Sequence, residues 1–377
     1  MFNHHDITRN ACMLRGPLAK CGYDWWWHSF TAQDQETGED KPFFIEFFLC
    51  NPDLGEDVPV LGQLPENKEK GKRPSYLMVK VGTWGKDHCQ LHRFFAWSEV
   101  ELHQDAPFSI SAKDCYLDET TLKGSVSVTK EEAEAHPEWM CDHGRIEWNL
   151  TVDKQIAFNV GYGASKPLRD AEAFAMYWHA EGMKSAYKGE IIYNGKKYAV
   201  NPDRSYGYAD KNWGRDFTSP WVWLSSNRLI SEKTGKELKN SVFDIGGGRP
   251  KIYSIALDRR LLGVFYYEGK EYDFNFSHFW LNVKTEFSFE EKEEKVLWRV
   301  RQENKYAVME TEIHCCKNDM LLVNYEAPDG SKKHNRLWNG GNGEGVIKLY
   351  EKNGEELTLI DIVKATHVGC EYGEYDK

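Results

Sequence analysis

Apolar and polar residues alternate in short runs along most of the chain, and clusters of glycine, proline, asparagine and aspartate separate these runs. Alternation with a period of two indicates β-strands, because successive side chains of a strand point to opposite faces. The segment 22–52 begins the series as a predicted hairpin. Its first strand carries aromatic side chains on both faces, Trp25 and Trp27 on one and Trp26 and Phe30 on the other. We therefore expect this strand to be covered on both sides.

The same pattern predicts strands throughout both halves of the chain. They are expected at residues 43–50, 76–83, 90–98, 108–112, 116–128, 145–152, 155–160, 187–193, 197–200, 242–249, 251–257, 263–267, 270–276, 284–289, 295–303, 306–314, 345–350 and 356–364. Asn194 and Gly195 lie between two of these runs and form the strongest short-range signal for a β-hairpin turn. Many short strands joined by turns are typical of a β-barrel or a β-sandwich.

The length of the chain indicates more than one core. At 377 residues it exceeds the size at which a single hydrophobic core stops growing, so two domains are expected. The strand pattern breaks at residues 161–166, and a helix is predicted for residues 167–176. We therefore predict two all-β domains of the barrel or sandwich type, packed side by side and covering residues 1–177 and 178–377.

The stretch 206–227 concentrates the candidate chemistry. It reads YGYADKNWGRDFTSPWVWLSSN and combines ionisable, amide, hydroxyl and large aromatic side chains. The spacing predicts a tight polar turn at residues 210–214, followed by a strand with Trp221 and Trp223 on one face. Aromatic side chains beside a carboxylate are typical of a half-buried site for an apolar substrate. A turn that plugs the end of a barrel, with Trp213 as the plug, is the structural alternative.

Composition and charge narrow the function classes. A net charge of −11 and a pI near 5.7 supply no basic field, which disfavours nucleic-acid binding and docking to anionic membranes. The nine cysteines include no CxxC pair, and no apolar run approaches the ~18 residues of a transmembrane helix. The N-terminal residues show no apolar signal region. These features predict a cytoplasmic protein with reduced thiols and no transmembrane segment.

The central stretch resembles the signature of the tocopherol cyclase family. That signature is an aromatic residue followed in order by Glu or Asp, then Lys, then Asn or Asp, then Trp and Gly. Here this run is ADKNWG, residues 209–214, and a Phe, a Pro and a Trp-x-Trp pair come next. The resemblance extends to the hairpin 22–52 and to the run 178–198, and it spans roughly residues 15–280. It implies two lipocalin-like barrels or sandwiches with a ligand at or near their junction. The wider superfamily includes carotenoid hydratases, attachment-type lipocalin-like proteins and fungal pericyclase-type cyclases.

The sequence departs from the family pattern where the pocket is expected. The usual Phe-Pro is spread over residues 217–220, and the usual aromatic-Gln-x-Asn is spread over residues 223–227. An additional charged loop follows at residues 231–239. Because these positions would line the pocket, the substrate need not be a prenylated quinol.

The resemblance directs attention to ring closure of an alkenyl phenol, in which an acid protonates the alkene and an oxygen attacks the resulting cation. Asp210 is the candidate acid, because an apolar pocket raises the pKa of a carboxyl group. Lys211 would oppose that effect unless it points away or pairs with Asp216. Hydration, isomerisation and a pericyclic step use the same parts, and none of these reactions requires a cofactor.

Several residues of the motif and its surroundings receive candidate roles. The ionisable candidates for catalysis are Asp210, Lys211 and Arg215. The candidates for substrate binding are polar or aromatic and come from several predicted strands: Trp26, His28, Tyr208, Asn212, Trp213, Trp221, Trp223, Asn227 and His278. A hydrogen-bonded core histidine is the alternative interpretation of His28 and His278. The histidines are not spaced as a metal motif, so we predict no metal site.

Two function classes remain open. One is a cofactor-independent cyclase, isomerase or hydratase acting on an apolar, ring-bearing molecule of phenolic or isoprenoid-like type. The other is a lipocalin-like carrier that binds such a molecule without turnover. Asp210 beside Trp213 favours the enzyme, because a carrier does not need an ionisable cluster there. In both cases the expected partner is a hydrophobic small molecule, and the oligomeric state, a homodimer included, stays open.

Overall fold

The computed structural model describes residues 7–159, 171, 173–252, 255–256, 258 and 260–374. The strands in these residues form two large antiparallel sheets and one two-stranded ladder. The predicted all-β class is confirmed, because the protein is a closed barrel with extra strands and packed sheets and contains little helix.

The first sheet is built from the twelve N-terminal strands. These are β1 (Tyr23–Asp34), β2 (Asp40–Cys50), β3 (Tyr76–Thr83), β4 (Cys89–Phe95), β5 (Val100–His103), β6 (Ser109–Ala112), β7 (Cys115–Asp118), β8 (Thr121–Val128), β9 (Gly144–Phe158), β10 (Met176–Tyr193), β11 (Lys196–Val200) and β12 (Gly207–Gly214). Strand β12 pairs with both β1 and β10.

The second sheet is built from eleven later strands. In chain order, the remaining strands are β13 (Trp221–Ser226), β14 (Arg228–Ser231), β15 (Val242–Gly248), β16 (Lys251–Ile252), β17 (Ile255–Ala256), β18 (Arg260–Tyr267), β19 (Lys270–Asp273), β20 (Lys284–Glu291), β21 (Lys295–Glu303), β22 (Ala307–Cys316), β23 (Leu321–Glu326), β24 (Lys333–Asn353) and β25 (Glu356–Gly373). Strands β16 and β17 form the separate ladder.

Helix is limited to short segments in the described part of the chain. They are α1 (Pro65–Glu69) and α2 (Lys130–Ala135), together with several 3-10 turns. Helix α2 starts with a capping box, because the Thr129 hydroxyl accepts from the Glu132 N–H and the Glu132 carboxylate accepts from the Thr129 N–H. None of the described helices has both the length and the apolar character needed to cross a bilayer.

The register of the first sheet places polar and aromatic side chains in one row. Trp27 of β1 pairs with Asp210 of β12 on one side and with Glu46 of β2 on the other. Glu46 in turn pairs with Lys80 of β3. Because directly paired residues share a face, Asp210, Trp27, Glu46 and Lys80 lie on the same side of the sheet.

The second sheet carries a comparable row. Trp223 of β13 pairs with Gly246 of β15 and with Glu371 of β25. Glu371 pairs with Asn339 of β24. The row in the second sheet contacts the first sheet where the two sheets pack. Trp84, which directly follows β3, donates a hydrogen bond from Nε1 to Oδ1 of Asn339 at 2.7 Å.

Glycines of the second sheet allow tryptophans of the first sheet to approach closely. A Cβ atom on Gly246 would lie 2.7 Å from the ring of Trp178, and a Cβ atom on Gly341 would lie 2.2 Å from the ring of Trp84. Both distances are shorter than a carbon–carbon contact permits. The absence of side chains at these two positions therefore sets how closely the sheets pack.

The predicted tight turn at residues 210–214 is wrong. This segment lies within strand β12, because it finds strand partners on both sides, β1 and β10. The strand predicted at residues 270–276 is shorter than expected: β19 ends at Asp273, and a 3-10 turn follows at Phe279–Leu281. In both places the tertiary pairing decides the local structure.

Three other predictions concern the middle of the chain. The hairpin turn at Asn194 and Gly195 is confirmed, since both residues have positive φ angles, 49° and 82°, between β10 and β11. The helix predicted at residues 167–176 lies largely outside the described residues. The predicted domain boundary at residues 177–178 falls within β10, whereas the chain passes from one sheet to the other at residues 214–221. The division into two domains stays a prediction.

Candidate functional site

A narrow cavity lies between the two sheets. About 20 Å³ of it is open to the centre of a water-sized sphere, which is room for about one water molecule. Its lining is aromatic and acidic and comes from both sheets and from the connection between them: Trp25, Trp27, Met176, Asp210, Phe217, Thr218, Trp221, Trp223, Tyr325, Leu337 and Glu371. No cationic side chain is among these described lining residues.

One wall of the cavity is a stack of aromatic rings. Trp25 stacks on Tyr325 with ring centroids 5.2 Å apart and on Phe217 at 5.8 Å. Phe217 also contacts Tyr325 at 5.4 Å. Aromatic faces carry negative potential, so this wall suits an apolar guest and a developing positive charge.

Asp210 of β12 presents a carboxyl group to the cavity. Its Oδ2 atom accepts hydrogen bonds from Nε1 of Trp178 at 2.8 Å and from the hydroxyl of Tyr208 at 3.2 Å. Its Oδ1 atom has no hydrogen-bond partner among the described residues. Burial raises the pKa of Asp210 well above its ordinary value, although the two hydrogen bonds act in the opposite direction. A protonated carboxyl with one unengaged oxygen beside a cavity is what a general acid requires.

Glu371 of β25 is the second carboxyl group in the cavity wall. Its Oε2 atom accepts a hydrogen bond from Nε1 of Trp221 at 2.6 Å, and its Oε1 atom accepts one from the Asn339 amide. Burial raises the pKa of Glu371 to about 7, against the effect of these two donors. Glu371 therefore changes its charge near neutral pH, where it can accept a proton.

Asp244 of β15 lies next to this pair, in a fully buried position. Its Oδ1 atom accepts a hydrogen bond from Nε1 of Trp223 at 3.1 Å. Burial and the charge of Asp210 both raise the pKa of Asp244 well above its ordinary value. The Tyr208 hydroxyl donates to Asp210, and the Tyr208 ring lies 4.8 Å from the ring of Trp223, the residue that donates to Asp244.

A buried ion pair lies behind Tyr325. Nζ of Lys80 is 2.8 Å from Oε2 of Glu46, with both side chains fully buried. The Tyr325 hydroxyl donates to the same oxygen of Glu46 at 3.1 Å, and Nζ of Lys80 lies 4.0 Å from the centre of the Tyr325 ring. Burial lowers the pKa of Lys80, against the effect of Glu46. The pair holds Tyr325 in the cavity wall.

Lys211 points to the opposite face of β12. It forms a fully buried ion pair with Asp24 of β1, and its Nζ atom lies 4.0 Å from the centre of the Trp26 ring. Burial raises the pKa of Asp24 to about 6, against the effect of Lys211. Lys211 therefore points away from Asp210, which is one of the two arrangements expected to leave Asp210 protonated. Lys211 does not pair with Asp216; that residue lies near Lys251 and His334.

Four of the residues with predicted roles come together at the cavity. Asp210, Trp221 and Trp223 line it, and Tyr208 holds the carboxyl group of Asp210. Asn212 lies on the same face of β12 and accepts a hydrogen bond from the Tyr23 hydroxyl at 2.8 Å.

The other predicted site residues lie elsewhere. Trp26, His28, Lys211 and Trp213 occupy the other face of the first sheet, where His28 contacts the Tyr187 hydroxyl at 2.8 Å and Trp213 stacks on Tyr177. Arg215 is exposed. The Asn227 amide donates to the Gly207 carbonyl at 2.8 Å, which ties β12 to the start of β14. His278 contacts Asp273 at 2.7 Å and stacks on Trp280 in a half-buried turn away from the cavity lining.

Several residues of the site were missed. They are Trp25, Trp27, Trp178, Asp244, Tyr325 and Glu371. The alternation in β1 identified two faces but not which one meets the second sheet. Asp244 carried a usable signal, because an acidic residue interrupts the apolar run VFDIGGG. Glu371 carried none, since only the long-range pairing of β25 with β13 brings it beside Trp223.

Comparisons with known proteins identify one matching family and several solved structures of low sequence identity. The family model described as tocopherol cyclase-like matches residues 143–374, more than half of the chain. No curated protein matches the sequence as a relative. Three similar solved structures each have a TM-score of 0.45: an AttH-type protein from Nitrosomonas europaea, with 10% identity over 92% of both chains; kievitone hydratase from Nectria haematococca, with 11% identity over 100% of this chain and 94% of that one; and CghA with Sch210972, with 11% identity over 95% and 90%.

Proposed function

The chain belongs to the tocopherol cyclase-like family, and on that premise we propose that it is a cofactor-independent cyclase, hydratase or isomerase. Its substrate is an apolar, ring-bearing small molecule of phenolic or isoprenoid-like type. The reaction takes place in the cavity between the two sheets. It starts with proton transfer from Asp210.

The observation that carries this proposal is the state of the Asp210 carboxyl group. Its Oδ1 atom lacks a hydrogen-bond partner among the described residues, and the residue lines the cavity. Its raised pKa keeps the proton in place at a pH where a surface aspartate would have lost it. A carboxyl group that retains its proton and has a free oxygen at the cavity can deliver that proton to a guest, a step that a carrier does not require.

The proposed cyclisation balances without an external reagent, and the proposed hydration consumes one water molecule. The O–H bond of Asp210 breaks and a C–H bond forms on the substrate alkene, which leaves a tertiary cation. In a cyclase, the phenol oxygen then bonds to the cationic carbon and its O–H bond breaks, with the proton passing to Glu371. Loss of this proton from Glu371 to solvent and uptake of one by Asp210 after product release restore the starting state. In a hydratase, a water oxygen takes the place of the phenol oxygen. Glu371 suits the role of base, because its pKa of about 7 lets it accept a proton at neutral pH.

The aromatic wall has two functions in this proposal. Trp25, Phe217 and Tyr325 present ring faces that stabilise the cation without bonding to it. They also leave room for about one water molecule, so a substrate has to displace some of these rings as it enters, and bulk water is excluded. The aromatic faces and the exclusion of bulk water thus favour ring closure over random capture of the cation.

The test is conversion of a panel of prenylated phenols and quinols in D₂O. Wild-type protein should yield a cyclised or hydrated product with one deuterium on the carbon that received the proton, and Asp210→Asn should yield far less. Asp153→Asn, at an exposed position, is the matched control and should behave as wild type. Tight binding of a panel member with no conversion by any of the three proteins would instead identify a carrier.

A further inference from the structure

The connection between the two sheets covers the cavity on one side. It comprises residues 215–220, since β12 ends at Gly214 and β13 begins at Trp221. It contributes Phe217 and Thr218 to the cavity lining, and every other described lining residue lies on a strand. The connection belongs to neither sheet ladder, so it is the part of the lining that can move without breaking a sheet.

Phe217 differs from other rings of the lining in how it is held. The hydroxyl of Tyr325 and the indoles of Trp221 and Trp223 each donate a hydrogen bond to a buried carboxyl group. A phenylalanine ring has no polar atom, so packing holds Phe217, which stacks on Tyr23 with ring centroids 4.4 Å apart. Because the cavity has room for about one water molecule, an aromatic guest requires a ring to move. Phe217 is the ring that lies off the strands and whose displacement breaks no hydrogen bond of its own.

Asp216 ties the connection to the second sheet. Its Oδ1 atom lies 3.3 Å from Nε2 of His334 on β24. Its Oδ2 atom lies 3.5 Å from Nζ of Lys332 and 3.7 Å from Nζ of Lys251. The side chains of Asp216 and Lys332 are 28% and 36% exposed, whereas Phe217 is buried. Two successive residues of the connection therefore face solvent and cavity, so the connection is a single layer between them.

The ends of the connection are fixed. Its first N–H donates to the Ala175 carbonyl at 2.8 Å. At the other end, Pro220 packs so closely on Gly248 that a Cβ atom there would lie 1.7 Å from the Pro220 carbonyl oxygen. Between them, the Thr218 N–H donates to the sulfur of Met176 at 3.3 Å, and sulfur is a weak acceptor. The middle of the connection can therefore move between fixed ends.

We propose that the connection is the gate of the cavity, in which Phe217 is the moving ring and the ion pairs of Asp216 hold the gate closed. An apolar guest enters when the ring moves outward, and the extent of this movement limits the size of the guest. Phe217 is thus a specificity-determining residue, and Asp216 is a positioning residue that acts through it. The gate rests on the proposed function only in that the guest occupies the cavity; it does not depend on proton transfer.

Hydrogen exchange tests the gate without a guest. The amides of residues 217–219 should exchange faster than those of β12 and β13, because they open without unfolding of the sheets. Asp216→Asn keeps the oxygen that accepts from the Phe217 N–H but loses the charge. It should raise the exchange of the connection by about two- to fivefold, the effect of losing partly exposed ion pairs, while the strands keep their rates. Exchange of the connection as slow as that of the flanking strands would overturn the gate.

Glu290→Gln is the matched control for the charge. Glu290 also faces two cations, Arg299 and Lys292, but it does not line the cavity. Its loss should leave the exchange of the connection as in wild type. An increase equal to that of Asp216→Asn would show a general effect of lost ion pairs and would overturn the role of Asp216.

Stopped-flow binding of 2-naphthol, which is uncharged at neutral pH, tests the entry route. Asp216→Asn should raise the association and dissociation rates together by about two- to fivefold, with little change in Kd, because a gate acts on both directions. Added salt should accelerate association with wild type but not with the variant, since salt screens the ion pairs. Rates equal to those of wild type would overturn the role of Asp216.

Phe217→Ala should also raise the association rate. Adding Asp216→Asn to it should have no further effect, because the ion pairs act through the ring. Additive effects of the two substitutions would overturn the assignment of Phe217 as the moving ring. Absence of 2-naphthol binding in every variant would count against the proposed function, and hydrogen exchange alone would then decide the gate.

Discussion

The indole N–H of Trp178 donates a 2.8 Å hydrogen bond to Oδ2 of Asp210, while the ring of the same tryptophan lies against Gly246 of the other sheet. One side chain thus orients the proposed acid and sets the local spacing between the sheets. Because Oδ2 is engaged, Oδ1 is the oxygen left for a guest in the cavity.

Gly246→Ala should destabilise the protein by about 1–3 kcal/mol, because the new methyl group would lie 2.7 Å from the Trp178 ring. Trp178→Phe removes the ring atoms that the methyl group would meet. The double variant should therefore lose less than the sum of the two single losses in free energy of unfolding, as measured with urea. Strictly additive losses would show that the contact does not set the sheet spacing.

Asp210→Asn should lower kcat by ~10²–10⁴-fold, the usual contribution of a general acid. The amide preserves the shape of the side chain and the acceptor for Trp178, but it has no transferable proton. Ligand affinity and the thermal midpoint should change little, since Asp210 is neutral when protonated. The check is kcat and KM for both proteins beside melting curves. A variant as fast as wild type would leave only a shape-driven reaction or a carrier.

Glu371 links stability to pH. Burial raises its pKa from 4.5 to about 7, so between these values the folded state holds more protons than the unfolded state. This contribution to stability is fully present below the unfolded pKa and is lost as pH rises through about 7. Glu371→Gln should remove this dependence. Urea unfolding at about pH 5 and about pH 8 should show wild type losing stability relative to the variant.

The control for that experiment is Glu356→Gln, which changes an exposed glutamate of the same strand. Its pH dependence should follow that of wild type. If Glu371→Gln and wild type lose stability in parallel, the carboxyl group of Glu371 does not carry the raised pKa.

Lys211→Met should destabilise the protein by about 3–5 kcal/mol, because it leaves the Asp24 carboxylate buried without its partner. The cost should be smaller at about pH 5 than at about pH 8, since Asp24, with a pKa already raised to about 6, is protonated at the lower pH. Asp24→Leu combined with Lys211→Met should recover much of the loss in urea unfolding. A variant that keeps its stability but loses turnover would instead return Lys211 to the catalytic role predicted from the sequence.

Two tryptophans on opposite faces test the position of the ligand. Trp223 lines the cavity, whereas Trp26 lies on the other face of the first sheet and stacks on Phe108 at 4.5 Å. An apolar aromatic ligand should quench the fluorescence of wild-type protein, and Trp223→Phe should lose a larger part of this quench than Trp26→Phe. The opposite order would place the ligand on the Trp26 face of the first sheet, in agreement with the substrate-binding roles predicted for Trp26 and His28.

The sequence predicted the fold class well, because the alternation of apolar and polar residues is a local pattern that is repeated in most strands. It could not choose between the faces of β1, since Trp25 and Trp26 are equally apolar and both faces are covered. It also misread residues 210–214, because Asp, Asn and Gly favour turns when strand partners are unknown. β12 remains a strand because β1 and β10 satisfy its backbone on both sides.

The candidate site was predicted only in part, because some of its residues are close in sequence and others are not. Asp210, Trp221 and Trp223 lie in one recognisable motif, so local reading found them. Asp244 and Glu371 become neighbours of that motif only through the pairing of β13 with β15 and β25. Their raised pKa values arise from burial. Burial is a property of the assembled sheets and cannot be read from the local sequence.

The wall of the cavity is shared between a sheet that is complete at Gly214 and a sheet that begins at Trp221. Without the second sheet, the Asp210 carboxyl group would face water and would lose its proton as a surface aspartate does. The raised pKa of Asp210 thus depends on the last strand of the described chain, because β25 brings Glu371 beside Trp223.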